Sequence, residues 1–229
     1  MISVIIPTLN EEGRIGALLN ALAWETVPYE VVLVDGGSED KTTNEAAAAG
    51  AVVLSASGGR GAQLVAGVNA AKVDIILFLH ADSRFPEGGL TRISKSMADD
   101  ERLCGGNFRL LFDGDDPFSR WLDGFYVWLR SPGFYYGDSG IFVRRDVYDT
   151  MGGIRPIALM EDYDFVRRLE AHGKTCCIEE PPLRTSSRRF EGRRPAAIVF
   201  GWFLIHGLFH LGVSPERLAR IYNSTRRRR

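Results

Sequence analysis

Acidic side chains follow two apolar segments of this chain, at positions that suit binding of a cation or a hydroxyl group. Asp35 follows residues 30–34 (EVVLV), and Asp82 lies three residues beyond the apolar segment 75–79 (IILFL). A single carboxylate can be enough to bind Mg²⁺ or Mn²⁺, because such a metal usually takes one or two protein groups plus substrate phosphates. Capping of the following turn is the alternative interpretation, and for Asp35 the two stay open.

A second acidic group lies in residues 160–165 (MEDYDF), where Glu161, Asp162 and Asp164 occupy three of four positions. Mutual repulsion would raise one of their pKa values, which suits a general base that takes a proton from a hydroxyl. Acids in the first turn of a helix, where they complement the helix dipole, are the alternative interpretation.

Arginines that could bind an anion occur in two segments. Residues 57–62 (SGGRGA) form a glycine-rich loop before a predicted helix, where backbone N–H groups and Arg60 could meet a phosphate. No Lys-Ser or Lys-Thr follows this loop, so it is not a P-loop. Arg188 and Arg189 lie in residues 186–194 (SSRRFEGRR), and guanidinium groups favour bidentate contacts with phosphate. A solvated basic loop is the alternative for this segment.

Alternating strand and helix patterns must position these side chains. In the first 80 residues the alternation implies right-handed βαβ crossovers and a mostly parallel sheet with helices on both faces. Ligands of such sheets bind beyond the carboxyl ends of the strands, which is where the acids lie. The predicted strands are residues 3–7, 30–34, 51–55 and 74–79, and the predicted helices are residues 12–23, 42–49 and 62–71.

The second half of the chain is less regular and shows no domain boundary before about residue 190. We therefore predict one α/β domain, residues 1–190, followed by a helical appendage with a basic tail, residues 191–229. The predicted strands here are residues 105–112, 137–143 and 175–178, and the predicted helices are residues 117–129, 146–151 and 162–171.

Composition excludes several classes of protein. The chain has 229 residues, of which 45% are hydrophobic and 25% charged, so it is long enough to bury a sizeable core. Its formal net charge is -1 and its arginines accumulate after residue 184 without a recognisable reading motif, which argues against nucleic-acid binding. Three cysteines without metal-ligand spacing suit a reducing compartment, so we expect a cytoplasmic protein.

Residues 196–213 (AAIVFGWFLIHGLFHLGV) form an apolar run of about the length that spans a bilayer. Three glycines and two histidines within it favour a buried or interfacial helix instead. We expect this helix to pack on the domain, to form a homodimer, or to touch the inner face of a membrane peripherally.

Four segments together resemble glycosyltransferase family 2, whose nucleotide-sugar-binding fold is called GT-A. The resemblance runs from residue 2 to about residue 190. With His-Ala-Asp at the position of the family's D-x-D motif, the chain is similar to a small bacterial subgroup described as associated with arsenosugar synthesis or radical-enzyme gene clusters. The segments are residues 5–12 (IIPTLNEE), 34–42 (VDGGSEDKT), 79–83 (LHADS) and 160–165 (MEDYDF).

The resemblance implies an inverting, metal-dependent transfer of a sugar from a nucleotide diphosphate to a hydroxyl acceptor. A UDP-sugar is favoured as donor and a GDP-sugar is the second choice. Asp82 would coordinate Mg²⁺ or Mn²⁺, and Asp162, beside Glu161, would be the base. The resemblance also implies that Pro7, Thr8 and Glu11 line the nucleotide pocket and that Asp35 holds the base or ribose. The further donor-binding candidates are Arg60, His80, Asp138, Arg188 and Arg189. His80 stands where many relatives have an acid, so the contact made by that acid is open.

Two other functions compete with this one. A sugar-phosphate nucleotidyltransferase would share the sheet, but its glycine-rich, arginine-containing loop would follow the first strand, whereas here the loop follows the third. A non-catalytic module could bind nucleotides or membranes through the arginine-rich end and residues 196–213. The pair Glu161 and Asp162 argues against such a module.

Overall fold

In the computed structural model, which describes residues 1–227, seven strands form one sheet in the order β3-β2-β1-β4-β6-β5-β7. The strand β6 runs antiparallel to both of its neighbours, and the other pairs are parallel. The predicted mostly parallel α/β sheet is therefore confirmed. The strands are β1 (Ile2–Thr8), β2 (Tyr29–Asp35), β3 (Val52–Ser55), β4 (Ile75–Phe78), β5 (Leu103–Phe112), β6 (Ile141–Arg144) and β7 (Lys174–Thr185).

Helices cover both faces of the sheet. One of them, α4 (Gly89–Asp99), was not predicted, although Leu90, Ile93 and Met97, which are all buried, have helical spacing. The helices are α1 (Arg14–Leu22), α2 (Thr42–Ala48), α3 (Arg60–Ala70), α4 (Gly89–Asp99), α5 (Pro117–Arg130), α6 (Arg145–Thr150), α7 (Glu161–His172), α8 (Pro195–His210) and α9 (Pro215–Arg227).

The central strands are apolar on both sides because each side faces a separate core. Along β1, Val4 and Ile6 belong to one buried cluster and Ile5 to the other. The helix α3 packs against β1 so closely that a Cβ atom on Gly67 would collide with the side chain of Ile5. This close packing holds α3 against the sheet. It therefore also holds Arg60, the first residue of the helix, over the end of the sheet.

Three predicted boundaries near the site were wrong. The helix α3 begins at Arg60, two residues before its predicted start, so Arg60 belongs to the first turn. Residues 137–139 form a short 3-10 turn, and the strand predicted from residue 137 begins at Ile141. The late strand β7 is twelve residues long and ends just before a second 3-10 turn, Arg188–Phe190.

The last two helices lie over the carboxyl edge of the sheet. A third apolar cluster joins Met160 and Tyr163, at the start of α7, to Ile205 of α8 and Leu218 of α9. Because this cluster is adjacent to Glu161 and Asp162, the C-terminal helices help to enclose the predicted site. None of the helices within residues 1–227 has the length and hydropathy that crossing a bilayer requires.

Candidate functional site

A cavity of about 840 Å³ lies at the carboxyl ends of β1 and β4, between these strands and the helices α5, α7 and α8. The structure brings all the predicted site residues except Asp35 and Arg188 to the wall of this cavity. The predicted residues that line it are Pro7, Thr8, Glu11, Arg60, His80, Asp82, Asp138, Glu161, Asp162 and Arg189.

Arg60 is the central cation of the site. Its guanidinium group donates to the carboxylate of Glu161 and lies 3.3 Å from Oδ2 of Asp162. Glu161 is only 3% exposed, and a carboxylate buried to that extent must be paired to remain charged. Arg60 therefore compensates both acids at the start of α7.

Asp162 is held as an ionised carboxylate. Its oxygens accept hydrogen bonds from the backbone N–H groups of Gly137 (2.9 Å) and Tyr163 (2.8 Å). Burial acts to raise the pKa of Asp162, but Arg60, the Gly137 N–H and His80 outweigh it, and the pKa is lowered. Repulsion from the neighbouring acids therefore does not raise the pKa of Asp162, because Arg60 lies close to both Glu161 and Asp162. Asp162 can therefore accept a proton at neutral pH.

His80 has Arg60 as its partner. Its Nε2 lies 3.2 Å from a terminal nitrogen of Arg60, and burial together with that positive charge lowers the pKa of His80 to about 4. The imidazole is thus neutral at pH 7 and, since arginine can only donate, Nε2 accepts the hydrogen bond. A Cβ atom on Gly137 would lie 3.0 Å from this Nε2 and 3.1 Å from Oδ2 of Asp162, so a glycine keeps the two groups close.

Asp82 lies on the cavity wall and is paired with an arginine. The Arg188 guanidinium lies 3.3 Å from Oδ2 of Asp82 and 2.7 Å from Oε1 of Glu11. Within residues 1–227 no group of three or more His, Cys, Asp or Glu side chains is arranged to hold a metal ion. The one carboxylate of Asp82 suits a Mg²⁺ or Mn²⁺ ion that takes its remaining ligands from phosphate and water.

Asp138 and Arg189 form a second ion pair, with Oδ2 of Asp138 2.7 Å from the guanidinium. Asp138 is 3% exposed, and its Oδ1 has no hydrogen-bond partner among the described residues. A buried acceptor without a partner is costly, so this oxygen is suited to accept a hydrogen bond from a ligand hydroxyl.

Asp35 lies behind the cavity and holds the turn after β2. Its carboxylate accepts hydrogen bonds from the N–H groups of Gly37 and Ser38, each at 2.9 Å. Burial acts to raise the pKa of Asp35, and the bonds from Ser38 and Gly37 lower it overall. These are the contacts that the capping interpretation implies.

Sequence reasoning missed several residues of the cavity. Gln63, on the buried face of α3, donates to the carbonyl oxygens of Thr8 (2.9 Å) and Val34 (2.8 Å) and so ties together the ends of β1 and β2. A glutamine at a buried position of an otherwise apolar helix face was the available signal.

The two histidines of α8, His206 and His210, also line the cavity. His206 is hydrogen-bonded to the phenol of Tyr136 (3.1 Å) and His210 to that of Tyr163 (3.0 Å). No sequence signal pointed to these pairs, because each joins residues that are at least 47 positions apart.

Comparison with known proteins gives consistent matches. The family model for glycosyl transferase family 2 matches residues 3–161. An undecaprenyl-phosphate 4-deoxy-4-formamido-L-arabinose transferase of Serratia proteamaculans is 34% identical over 106 residues, which are 41% of this chain and 32% of that protein. The match thus spans about a third of the length of this relative.

Two solved structures share the fold at low sequence identity. The mannosyltransferase PcManGT of Pyrobaculum calidifontis, in complex with GDP-Man and Mn²⁺, has a TM-score of 0.67 at 18% identity, covering 89% of this chain and 61% of that one. TarS 1-349 of S. aureus, in complex with UDP, has a TM-score of 0.65 at 17% identity, covering 81% and 60%.

Proposed function

The chain belongs to glycosyl transferase family 2, and from this premise we propose that it moves a sugar from a nucleotide diphosphate to a hydroxyl acceptor, with inversion at the anomeric carbon. One observation carries the proposal: the ionised Asp162 and the Asp82 carboxylate line the same cavity at the carboxyl edge of the sheet. An inverting transfer needs a base on the acceptor side and charge compensation at the leaving diphosphate, and this cavity holds candidates for both.

The proposed donor is a UDP-sugar, with a GDP-sugar as the second candidate. The two solved relatives bind UDP and GDP-Man, which supports a nucleotide-sugar ligand at this edge of the sheet. In this proposal Pro7, Thr8 and Glu11 line the nucleotide pocket, and Asp35 shapes it by holding the turn after β2. The unpartnered Oδ1 of Asp138 would accept a hydroxyl of the donor sugar.

Asp82 would hold a Mg²⁺ or Mn²⁺ ion together with the donor phosphates. Such an ion supplies positive charge that stabilises the diphosphate as it leaves. Arg188, which contacts Asp82, and Arg189, which contacts Asp138, would add charge-assisted hydrogen bonds to the same oxygens. The PcManGT complex contains Mn²⁺, which supports metal use in this fold.

Asp162 would take the proton of the acceptor hydroxyl while Arg60 and the Gly137 N–H keep the carboxylate in place. The acceptor oxygen forms a bond to the anomeric carbon, and the bond between that carbon and the diphosphate oxygen breaks. Because Arg60 is already paired with Glu161, one positive charge stabilises both carboxylates, and Asp162 can gain a proton without leaving Glu161 unpaired.

The C-terminal segment has its own proposed role. We propose that residues 191–229, of which 228 and 229 lie outside the described residues, form an appendage to the domain of residues 1–190. We further propose that the protein is cytoplasmic and touches the inner face of a membrane through residues 196–213. A homodimer through the same face is the second candidate. Two measurements distinguish these candidates. Sedimentation of the protein with anionic vesicles would support membrane contact, and a molecular mass of two chains in solution would support the homodimer.

A donor screen by thermal shift, with and without Mn²⁺, tests the proposed function. We expect a UDP-sugar or a GDP-sugar to raise the melting temperature only when metal is present, since a ligand stabilises the folded state in proportion to its affinity. Release of free nucleoside diphosphate with the acceptor would distinguish transfer from the nucleotidyltransferase and binding-module alternatives, which family membership also disfavours. Stabilisation only by a sugar phosphate and a nucleoside triphosphate would contradict the proposal.

The proposed arsenosugar-associated subgroup is tested by a different result, the identity of the acceptor that receives the sugar.

Arg188 and a divalent cation would compete for Asp82, which gives a testable prediction. Replacing Arg188 with Gln should raise the affinity of the donor-free protein for Mn²⁺ about fivefold, because about 1 kcal/mol is the Coulomb energy of unit charges about 4 Å apart in water. Electron paramagnetic resonance titration of free Mn²⁺ measures this.

The matched control is Arg14→Gln, because Arg14 also pairs with Glu11, at 3.3 Å, but has no ion pair with Asp82. Equal Mn²⁺ affinities in the wild type, Arg188→Gln and Arg14→Gln would show that Arg188 does not compete for the metal position.

A further inference from the structure

The cavity has a charged half and an aromatic half. Opposite the strand ends, its wall is formed by side chains of α5 and α8, among them Phe125, Trp128, Trp202 and Phe203. The two helices are held together by Phe190, whose ring lies 5.7 Å from that of Phe118 on α5 and 5.7 Å from that of Trp202 on α8. The aromatic half is therefore held in place by ring packing between α5, Phe190 and α8.

The outer face of α8 is apolar as well. The segment Pro195–His210 contains no charged residue, and Phe200, Phe203 and Leu204 are 68%, 66% and 40% exposed. A helix that is apolar on all sides is ordinarily covered, and exposed apolar patches of this kind mark binding surfaces.

The apolar surface continues from the outside into the cavity. On α5 the rings of Trp121, Phe125 and Trp128 are stacked, with centroids 4.7 Å and 5.8 Å apart. Trp128 is 64% exposed and also lines the cavity, as Phe203 does. Trp128 and Phe203 thus stand at the mouth of a continuous apolar path toward Asp162.

Four polar groups of this half are hydrogen-bonded in two pairs. The phenol of Tyr136 is paired with His206 and that of Tyr163 with His210. A sugar acceptor would need hydrogen bonds for each of its hydroxyls, and these groups already use part of their capacity on each other. An apolar chain needs no such partners, and each methylene that it buries favours binding.

We propose that the acceptor is a lipid alcohol, a long apolar chain with one terminal hydroxyl, which lies along the aromatic half with its hydroxyl at Asp162. This inference rests on the proposed glycosyl transfer and names its acceptor class. The hydroxyl oxygen bonds to the anomeric carbon of the donor, its proton passes to Asp162, and the nucleoside diphosphate leaves with the electrons of the broken bond. The product is a glycolipid whose chain leaves by the mouth at Trp128 and Phe203.

The probe is 12-bromododecan-1-ol, whose bromine quenches nearby tryptophan fluorescence. Two variants on the same helix form a matched pair: Phe203→Asp changes the cavity mouth, and Phe200→Asp changes an equally exposed ring that is not on the cavity wall. We expect saturable quenching in the wild type and in Phe200→Asp, and an affinity lower by about tenfold or more in Phe203→Asp, because a charge replaces an apolar contact. Calorimetry with the nucleotide sugar and Mn²⁺ should give the same donor affinity in all three proteins.

Transfer is then measured with the same alcohol, with its phosphate ester and with methyl glucoside as acceptors. Sugar transfer to the alcohol, with the same loss in Phe203→Asp, supports the inference. The inference is overturned if quenching is not saturable, if both variants weaken binding equally, or if sugar is transferred only to methyl glucoside or only to the phosphate ester. In each of these cases, donor binding would leave the proposed function standing. Absence of donor binding and of any transfer would instead refute the proposed function.

Discussion

Replacing Asp162 with Asn should lower the rate of sugar transfer by about 10²- to 10⁴-fold, the usual contribution of a positioned general base. The amide has nearly the shape of the carboxylate and can still accept the hydrogen bond from the Gly137 N–H, so the cavity should keep its form. It cannot take a proton from the acceptor. Donor affinity, measured by calorimetry, should change little, because the effect falls on the proton transfer step.

Asp164→Asn is the matched control for this experiment. Asp164 lies in the same first turn of α7 but is paired with Arg155 (3.0 Å) and Arg168 (2.8 Å) and does not line the cavity. We expect it to keep nearly the wild-type rate. If Asp162→Asn retains more than about a tenth of the wild-type rate, a group other than Asp162 removes the proton.

The second large effect is expected at Asp82, because its ion pair with Arg188 is long (3.3 Å), whereas the arginines paired with Asp138 and Glu11 lie at 2.7 Å. Asp138 is paired with Arg189 and Glu11 with Arg188 and Arg14. Asp82→Ala should therefore lower metal-dependent donor affinity by at least roughly 100-fold, since loss of a group that merely supports a metal ligand already costs 10- to 100-fold. Glu87→Ala, which removes an exposed acid from the same connection, should leave the affinity unchanged.

Much of the sheet and of the site could be predicted from local patterns. A strand buried on both faces is apolar throughout, so the ends of β2 and β4 could be predicted where Asp35 and His80 interrupt the apolar runs. Parallel connection then placed the carboxyl ends of these strands at one edge of the sheet.

What could not be predicted depends on partners that are distant in sequence. Arg60 and Glu161 are 101 positions apart, and nothing in either segment shows that the arginine of a glycine-rich loop compensates the acids of another helix. For that reason the sequence could not show that the pKa of Asp162 is lowered. A sequence shows how many like charges are adjacent, but the pKa depends on which opposite charge the fold brings to them.

The aromatic half of the cavity illustrates the same difficulty. The apolar character of residues 196–213 was plain, but an apolar segment can be covered by protein, by lipid or by a second chain. Which rings line the cavity, as Phe203 does, and which face outward, as Phe200 does, follows from the packing of α8 against Phe190 and Tyr163. That packing joins elements that no local pattern connects.

The most direct test of the central claim is a calorimetric titration of the nucleotide sugar selected by the donor screen into the wild-type protein and into Asp82→Ala. Each titration is made with Mn²⁺ and again with a chelator. We predict saturable binding to the wild type with Mn²⁺, with a large loss of affinity on chelation and an equal loss in Asp82→Ala. Unchanged donor affinity in Asp82→Ala with Mn²⁺ present would contradict the assignment of this cavity as a metal-dependent nucleotide-sugar site.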